Sequence, residues 1–168
     1  MSIQLCYWYF AYGANMDAQG LARRVGCNVL EGKRACLEGY RLVFNQRGGY
    51  ASVVPHPSDK VWGVLYRLTE TELSRLDQYE GVPECYGRQK VWVTTENGER
   101  VRAYVYIGKE NLENVWPKQT YLSELLRGAR QHQLPQEYIQ FLEGVAALRE
   151  QQVKGGSTRT APKKEQTP

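Results

Sequence analysis

The sequence predicts an α+β domain, a small mixed or antiparallel β-barrel with flanking helices. Three observations point there: many short strand-like runs, a hairpin signal at Glu96-Asn97-Gly98-Glu99, and helical periodicity confined to a few separate segments. At 168 residues the chain has the length of one ordinary domain. Its 42% hydrophobic and 24% charged residues are enough to build a core, so disorder is not expected for the bulk of the chain.

Tyr7 to Ala11 is an aromatic-rich run of strand length, ending at Tyr12-Gly13-Ala14-Asn15, where Gly13 permits a tight turn. A short helix follows, capped by Asn15 or Asp17, with Leu21, Ala22 and Val25 as its apolar face and Gly26 as its stop. Residues 29–44 hold one or two strands bent at Gly32 and Gly39. Gly48-Gly49 turns the chain into a strand over Tyr50 to Val54, which Pro55 is expected to stop, and Val61 to Leu68 forms another. Thr69 and Glu72 match the Ser/Thr-x-x-Glu capping box of a helix whose inner face is Leu73 and Leu76 and which ends at Gly81 and Pro83. Tyr86 to Thr95 and Arg100 to Ile107 alternate around the Asn97-Gly98 turn. Two helices close the domain, one over residues 118–131 and one over 136–148, where Ile139, Leu142 and Val145 stand at helical spacing. From Gly155 onward no large apolar side chain occurs. The expected organisation is therefore one domain over residues 1–150 and a disordered basic tail over 151–168.

Charge and cysteine usage exclude several classes. The net charge is +4, but Lys154, Arg159, Lys163 and Lys164 against Glu165 alone put +3 of it in the tail. The folded part is nearly neutral, and no nucleic-acid partner is expected. No run approaches the ~20 apolar residues of a membrane span, and the opening Met-Ser-Ile-Gln-Leu lacks a charged leader, so a cytoplasmic protein with no membrane partner is expected. Cys6, Cys27, Cys36 and Cys85 show no Cys-x-x-Cys spacing, and His56 and His132 are the only histidines. A metal site is not supported, and the cysteines read as ordinary, mostly buried thiols. Serine-nucleophile elbows, Walker loops, dinucleotide fingerprints and zinc-protease motifs are all missing, so no cofactor is expected.

Glu80 stands seven residues after Leu73 and four after Leu76, which puts its carboxylate on the stripe of the buried leucines. Desolvation raises the pKa of such a group and the negative end of the helix dipole pushes the same way, making a better general base than a surface Glu. A helix-terminal Glu more often points to water, and Asp77 is a weaker competitor on the same helix. The glycine turn at Tyr12 to Asn15 can offer backbone N–H groups to an oxyanion, although such turns commonly serve only to reverse the chain. The twelve Tyr and four Trp suit core packing first and a pocket wall second.

These features together resemble the γ-glutamylcyclotransferase family, related more distantly to the AIG2-like proteins. Tyr9-Phe-Ala-Tyr-Gly-Ala-Asn15, Gly48-Gly-Tyr-Ala51, Val61-Trp-Gly-Val-Leu-Tyr66, Leu76-Asp-Gln-Tyr-Glu-Gly-Val82, Gln119-Thr-Tyr121 and Leu134-Pro-Gln-Glu-Tyr138 resemble its motifs in order and rough spacing. The resemblance implies that Glu80 is the proton acceptor, that Tyr9, Phe10, Ala11, Tyr12, Gly13 and Ala14 line the γ-glutamyl site through their backbone, and that Tyr121 contacts the substrate. Tyr86 and Tyr104 match pocket tyrosines less directly. Ala14 stands where the family often has Ser. The implied activity is conversion of γ-glutamyl-amino acids to 5-oxoproline and the free amino acid, with γ-glutamylamines or a γ-glutamylated intermediate as alternative substrates. A non-catalytic small-molecule or protein-binding module on the same fold is the rival class. The resemblance also implies a homodimer, which no residue here demonstrates.

Overall fold

The computed structural model describes residues 5–27 and 29–158. Strand β1 (Cys6–Ala11) leads through a single 3₁₀ turn (Ala14–Met16) into α1 (Ala18–Val25), followed by β2 (Leu30–Val43), β3 (Ser52–Thr69), α2 (Glu70–Glu80), β4 (Tyr86–Thr95), β5 (Arg100–Gly108), α3 (Gln119–Gln131) and α4 (Gln136–Thr158). The five strands close into a barrel in the order β1-β3-β2-β4-β5. All neighbours are antiparallel except β1 and β5, which meet in parallel where Tyr9 faces Tyr104. The expected mixed barrel with flanking helices is what the chain forms.

The barrel buries Phe10, Ala35, Leu37, Val61, Leu65, Val93, Ala103 and Val105, all almost wholly removed from water. Gly63 lets two layers touch here, because a Cβ at that position would sit 2.4 Å from the Ala11 carbonyl oxygen and 2.7 Å from the Phe10 ring.

One expectation about the strands is narrowed and one is corrected. Residues 30–43 form one strand, whose bends at Gly32 and Gly39 are slips of register against β3. Pro55 does not stop a strand: β3 runs unbroken from Ser52 to Thr69. The reason is its surroundings. β1 pairs only with residues 64–69 of β3, so the stretch holding Pro55 and Pro57 has β2 on one side alone, and the register slips between Pro55 and Lys60. A missing N–H is tolerated at such an edge.

The hairpin forms as expected, with one refinement. Gly98 alone takes positive φ, at 85°, and its N–H donates to the Thr95 carbonyl, which makes a three-residue loop in which Asn97 needs no special conformation. The capping box of α2 is present: Thr69 Oγ1 accepts from the Glu72 N–H and Glu72 Oε1 from the Thr69 N–H. Leu73 and Leu76 are buried beneath it. Gly81, at φ 71°, ends the helix by donating to the Asp77 and Gln78 carbonyls. α4 continues to Thr158, past the expected end at Leu148, while residues 159–168 of the tail lie outside the described residues.

Among the described residues no helix is long and apolar enough to cross a membrane. Only Cys36 of the four cysteines is buried; Cys6, Cys27 and Cys85 are exposed, against expectation. Their positions explain it: Cys6 opens β1, Cys27 follows the Gly26 stop of α1 and Cys85 lies in the loop after α2, all outside the core layers.

Candidate active site

β1, the turn after it, the end of α2, the start of β4 and the start of α3 converge on one pocket. Its narrow floor, about 40 Å³, is lined by Tyr9, Tyr12, Gly13, Asn15, Ala51, Glu80, Tyr86, Tyr106 and Tyr121. A mouth of about 710 Å³ opens above Glu80, Tyr86 and Tyr121 between Tyr50, Tyr79, Arg47, Glu84, Cys85 and Lys118. A separate depression of about 450 Å³, between the β2–β3 ribbon and the start of α4, shares none of these residues.

Glu80 is the last residue of α2, and the αL turn at Gly81 leads the chain away so that its carboxylate faces the pocket. Its Oε2 accepts a hydrogen bond from Asn15 Nδ2 at 3.2 Å. Burial pushes its pKa from the ordinary 4.5 up to about 7, partly opposed by the Asn15 hydrogen bond and the Arg24 charge. The tyrosines around it shift upward as well, chiefly by burial, and remain neutral hydroxyls near pH 7. Glu80 is thus the lining group able to gain and lose a proton near neutrality.

The hydroxyls are held by backbone. Tyr86 Oη donates to the Ala51 carbonyl at 2.7 Å, and the Ala51 N–H donates to Tyr121 Oη at 3.1 Å. Tyr121 therefore accepts from the protein and keeps its own proton for a ligand. Gly13 makes room for it, since a Cβ there would lie 2.9 Å from Tyr121 Oη. Gly49 does the same for the loop after β5: at φ 78°, it packs where a Cβ would meet the Trp116 and Pro117 backbone within 2.5 Å. In the 3₁₀ turn the Gly13 and Ala14 carbonyls accept from the Met16 and Asp17 N–H groups, so the first N–H groups of the turn have no partner within it.

The structure sorts the expected residues. Glu80, Tyr9, Tyr12, Gly13 and Tyr121 come together around the pocket. Phe10 and Ala11 are fully buried and are not among its lining residues; the Phe10 ring packs inside the barrel against Gly63. Ala14 opens the 3₁₀ turn beside the pocket. Tyr86 lines the floor, whereas Tyr104 lies outside it, covered by Arg88 and Lys90, and the pocket tyrosine of β5 is Tyr106. Asp77 is committed elsewhere, accepting from Tyr106 Oη at 2.6 Å and pairing with Arg88 at 3.1 Å.

Sequence reasoning places Asn15 in the candidate turn through its backbone and assigns its side chain only a capping role. Asp17 is the actual cap of α1, accepting from the Gly20 N–H, which leaves the Asn15 amide free to reach Tyr9 and Glu80. Arg24 carries no local signal of a site, and Ala51 enters only as the last residue of the Gly48-Gly-Tyr-Ala51 motif, with no role attached. Among the described residues no group of His, Cys, Asp and Glu is arranged to hold a metal ion. Cys27 hydrogen-bonds Glu72, which raises its pKa and suppresses the thiolate.

Comparison with known proteins assigns the chain to a family. The profile of the family described as "Gamma-glutamyl cyclotransferase, AIG2-like" matches residues 9–127. The chain belongs to that family. The gamma-glutamylcyclotransferase of Mus musculus is 31% identical over 153 residues, covering 83% of this chain and 78% of its own, and that of Homo sapiens is 29% identical over 152 residues with the same coverage. A solved structure titled "Gamma-glutamyl cyclotransferase" superposes with a TM-score of 0.74 at 28% identity, covering 83% of this chain and 87% of that one. The γ-glutamyl cyclotransferases are enzymes, and the matched span runs from Tyr9 to Arg127, containing every pocket residue named above.

Proposed function

We propose that this protein converts γ-glutamyl-amino acids to 5-oxoproline and the free amino acid, with Glu80 as the proton-transfer group. The observation that carries the reading is a carboxyl group with a pKa near 7 at the floor of a tyrosine-walled pocket. A base of that pKa is half-ionised at neutral pH and can both take and return a proton.

Glu80 takes a proton from the substrate α-ammonium. The freed amine attacks its own γ-carbonyl, closing a five-membered ring, a step that needs orientation rather than an external nucleophile. The oxyanion of the tetrahedral intermediate is held by N–H groups at Gly13 and Ala14, a role supported by the opening N–H groups of the turn being unused within it. Glu80 then gives its proton to the departing nitrogen as the original amide C–N bond breaks, and the extra proton left on the ring nitrogen follows through the same carboxylate, so that a neutral lactam and the ammonium form of the amino acid leave. The Tyr121 hydroxyl, with its proton unspent, donates to the bound γ-glutamyl group.

Incubation with L-γ-glutamyl-L-alanine, followed by mass spectrometry of 5-oxoproline, tests the reading. Wild type should form product, and a folded Glu80→Gln variant should lose at least about a thousandfold in rate. Comparable rates from the two proteins would remove Glu80 from the mechanism. The 710 Å³ mouth admits leaving groups larger than alanine, so γ-glutamylamines belong in the same assay.

A further inference from the structure

A chain of three side chains, Glu124, Arg24 and Asn15, reaches Glu80 from behind the pocket. Glu124 of α3 accepts two hydrogen bonds from Arg24 Nη2, at 2.9 and 3.0 Å, and Arg24 Nη1 donates to Asn15 Oδ1 at 2.6 Å. The guanidinium also lies 4.8 Å from the centre of the Tyr79 ring. Gly20 permits this approach of α3, because a Cβ there would lie 2.1 Å from Glu124 Oε2.

A guanidinium has donors and no acceptor, so it fixes which end of the Asn15 amide faces it. With Oδ1 turned to Arg24, Nδ2 must face the other way, and its two N–H groups go to Tyr9 Oη at 2.9 Å and Glu80 Oε2 at 3.2 Å. Nothing in Asn15 alone selects this orientation. Flipped, the amide would set its oxygen against the carboxylate and repel the ionised form.

We propose that Arg24 is a positioning residue for this site: anchored by Glu124 and Tyr79, it locks the Asn15 amide in the orientation that donates to Glu80. The catalytic consequence rests on Glu80 being the proton-transfer group, but the locking itself can be measured without turnover. The groups around Glu80 are Tyr9 and Tyr12 from β1 and its turn, Arg24 from α1, Tyr79 beside it on α2, Tyr86 from β4, Tyr106 from β5 and Tyr121 from α3, with Glu124 of α3 one step further back, behind Arg24. At the mouth stand Arg47, Tyr50, Glu84, Cys85, Glu110 and Lys118. Among these, Arg24 is the cation tied by a hydrogen bond to the partner of Glu80.

The experiment titrates protein labelled with ¹³C at the Glu carboxyl carbons, using Glu80→Gln to assign the Glu80 resonance, and compares wild type, Arg24→Lys and Arg24→Gln. Arg24→Gln is expected to move the Glu80 midpoint up by about one pH unit, having lost both the cation and the lock. Arg24→Lys keeps the charge but not the fork, and should recover only part of the shift. In parallel, the acid limb of kcat/KM for γ-glutamyl-alanine should move by the same amount, with the rate at pH 9 close to that of wild type. A merely structural role would instead lower kcat/KM by one factor at every pH. A folded Arg24→Gln protein whose Glu80 midpoint equals that of wild type overturns the proposal. If that variant does not fold, Gly20→Ala, which displaces Glu124 without changing any charge, carries the same comparison, with an upward shift supporting the lock and an unmoved midpoint refuting it. A clear shift in a protein that turns over no γ-glutamyl compound would end the functional reading while keeping the positioning one.

Discussion

Glu80 holds a proton in the folded protein over a pH range in which the unfolded chain has already released it, between its ordinary pKa of 4.5 and its folded value of about 7. Because the native state binds more protons across that window, stability falls as pH rises through it and stays low above pH 7. Glu80→Gln should therefore be more stable than wild type by about 1–3 kcal/mol at pH 8 and nearly equal to it at pH 4, as read by urea unfolding. An equal difference at both pH values would mean that burial does not control this carboxyl. Ala14 makes a second residue-level case. On the proposed mechanism this residue, at the opening of the turn, serves through its N–H rather than a side chain, so Ala14→Ser should keep kcat/KM within about threefold, whereas a gain of about tenfold or more would show that a hydroxyl at this position contacts the substrate.

Each element shows why part of the site can be read in advance. The α2 helix is legible because its information is local: Thr69 and Glu72 start it, Leu73 and Leu76 orient it, Gly81 stops it, and Glu80 follows on the same stripe. Thr69→Ala should cost about 1 kcal/mol, measured by thermal unfolding, through loss of the reciprocal cap. An unchanged Tm would show that packing beneath the helix sets its start without the cap. The β3 strand is legible only in pieces, since Pro55 looks like a stop until its one-sided pairing is known. Arg24 is not legible at all, because its partners stand nine and one hundred residues away in sequence and no periodicity joins them. Ala51 stands in a recognisable motif, but its two backbone contacts go to Tyr86 and Tyr121, thirty-five and seventy residues further on, and are equally out of reach of local pattern.

Over the whole molecule, β3 pairs with both β1 and β2, β1 returns to β5 to close the barrel, and α2 grows from the last residue of β3. No strand can leave without opening the ring, so unfolding should be a single transition. Leu65→Ala, in the centre of the barrel, should lower stability by about 2–5 kcal/mol and shift the far-UV and tryptophan-fluorescence curves together. Separated transitions would show that part of the barrel melts alone. The direct join of β3 to α2 also limits how the length of this chain can change. Glu80, the proposed proton-transfer group, stands eleven positions after Thr69 at the end of the barrel wall, with no slack between them. One residue added or removed within α2 would swing that group about 100° around the helix axis and about 1.5 Å along it, out of the pocket. Length variation compatible with activity therefore belongs at other joints, such as the loop after β5 or the connection between α3 and α4, and the spacing from Thr69 to Glu80 acts as a fixed gauge against which related chains can be aligned.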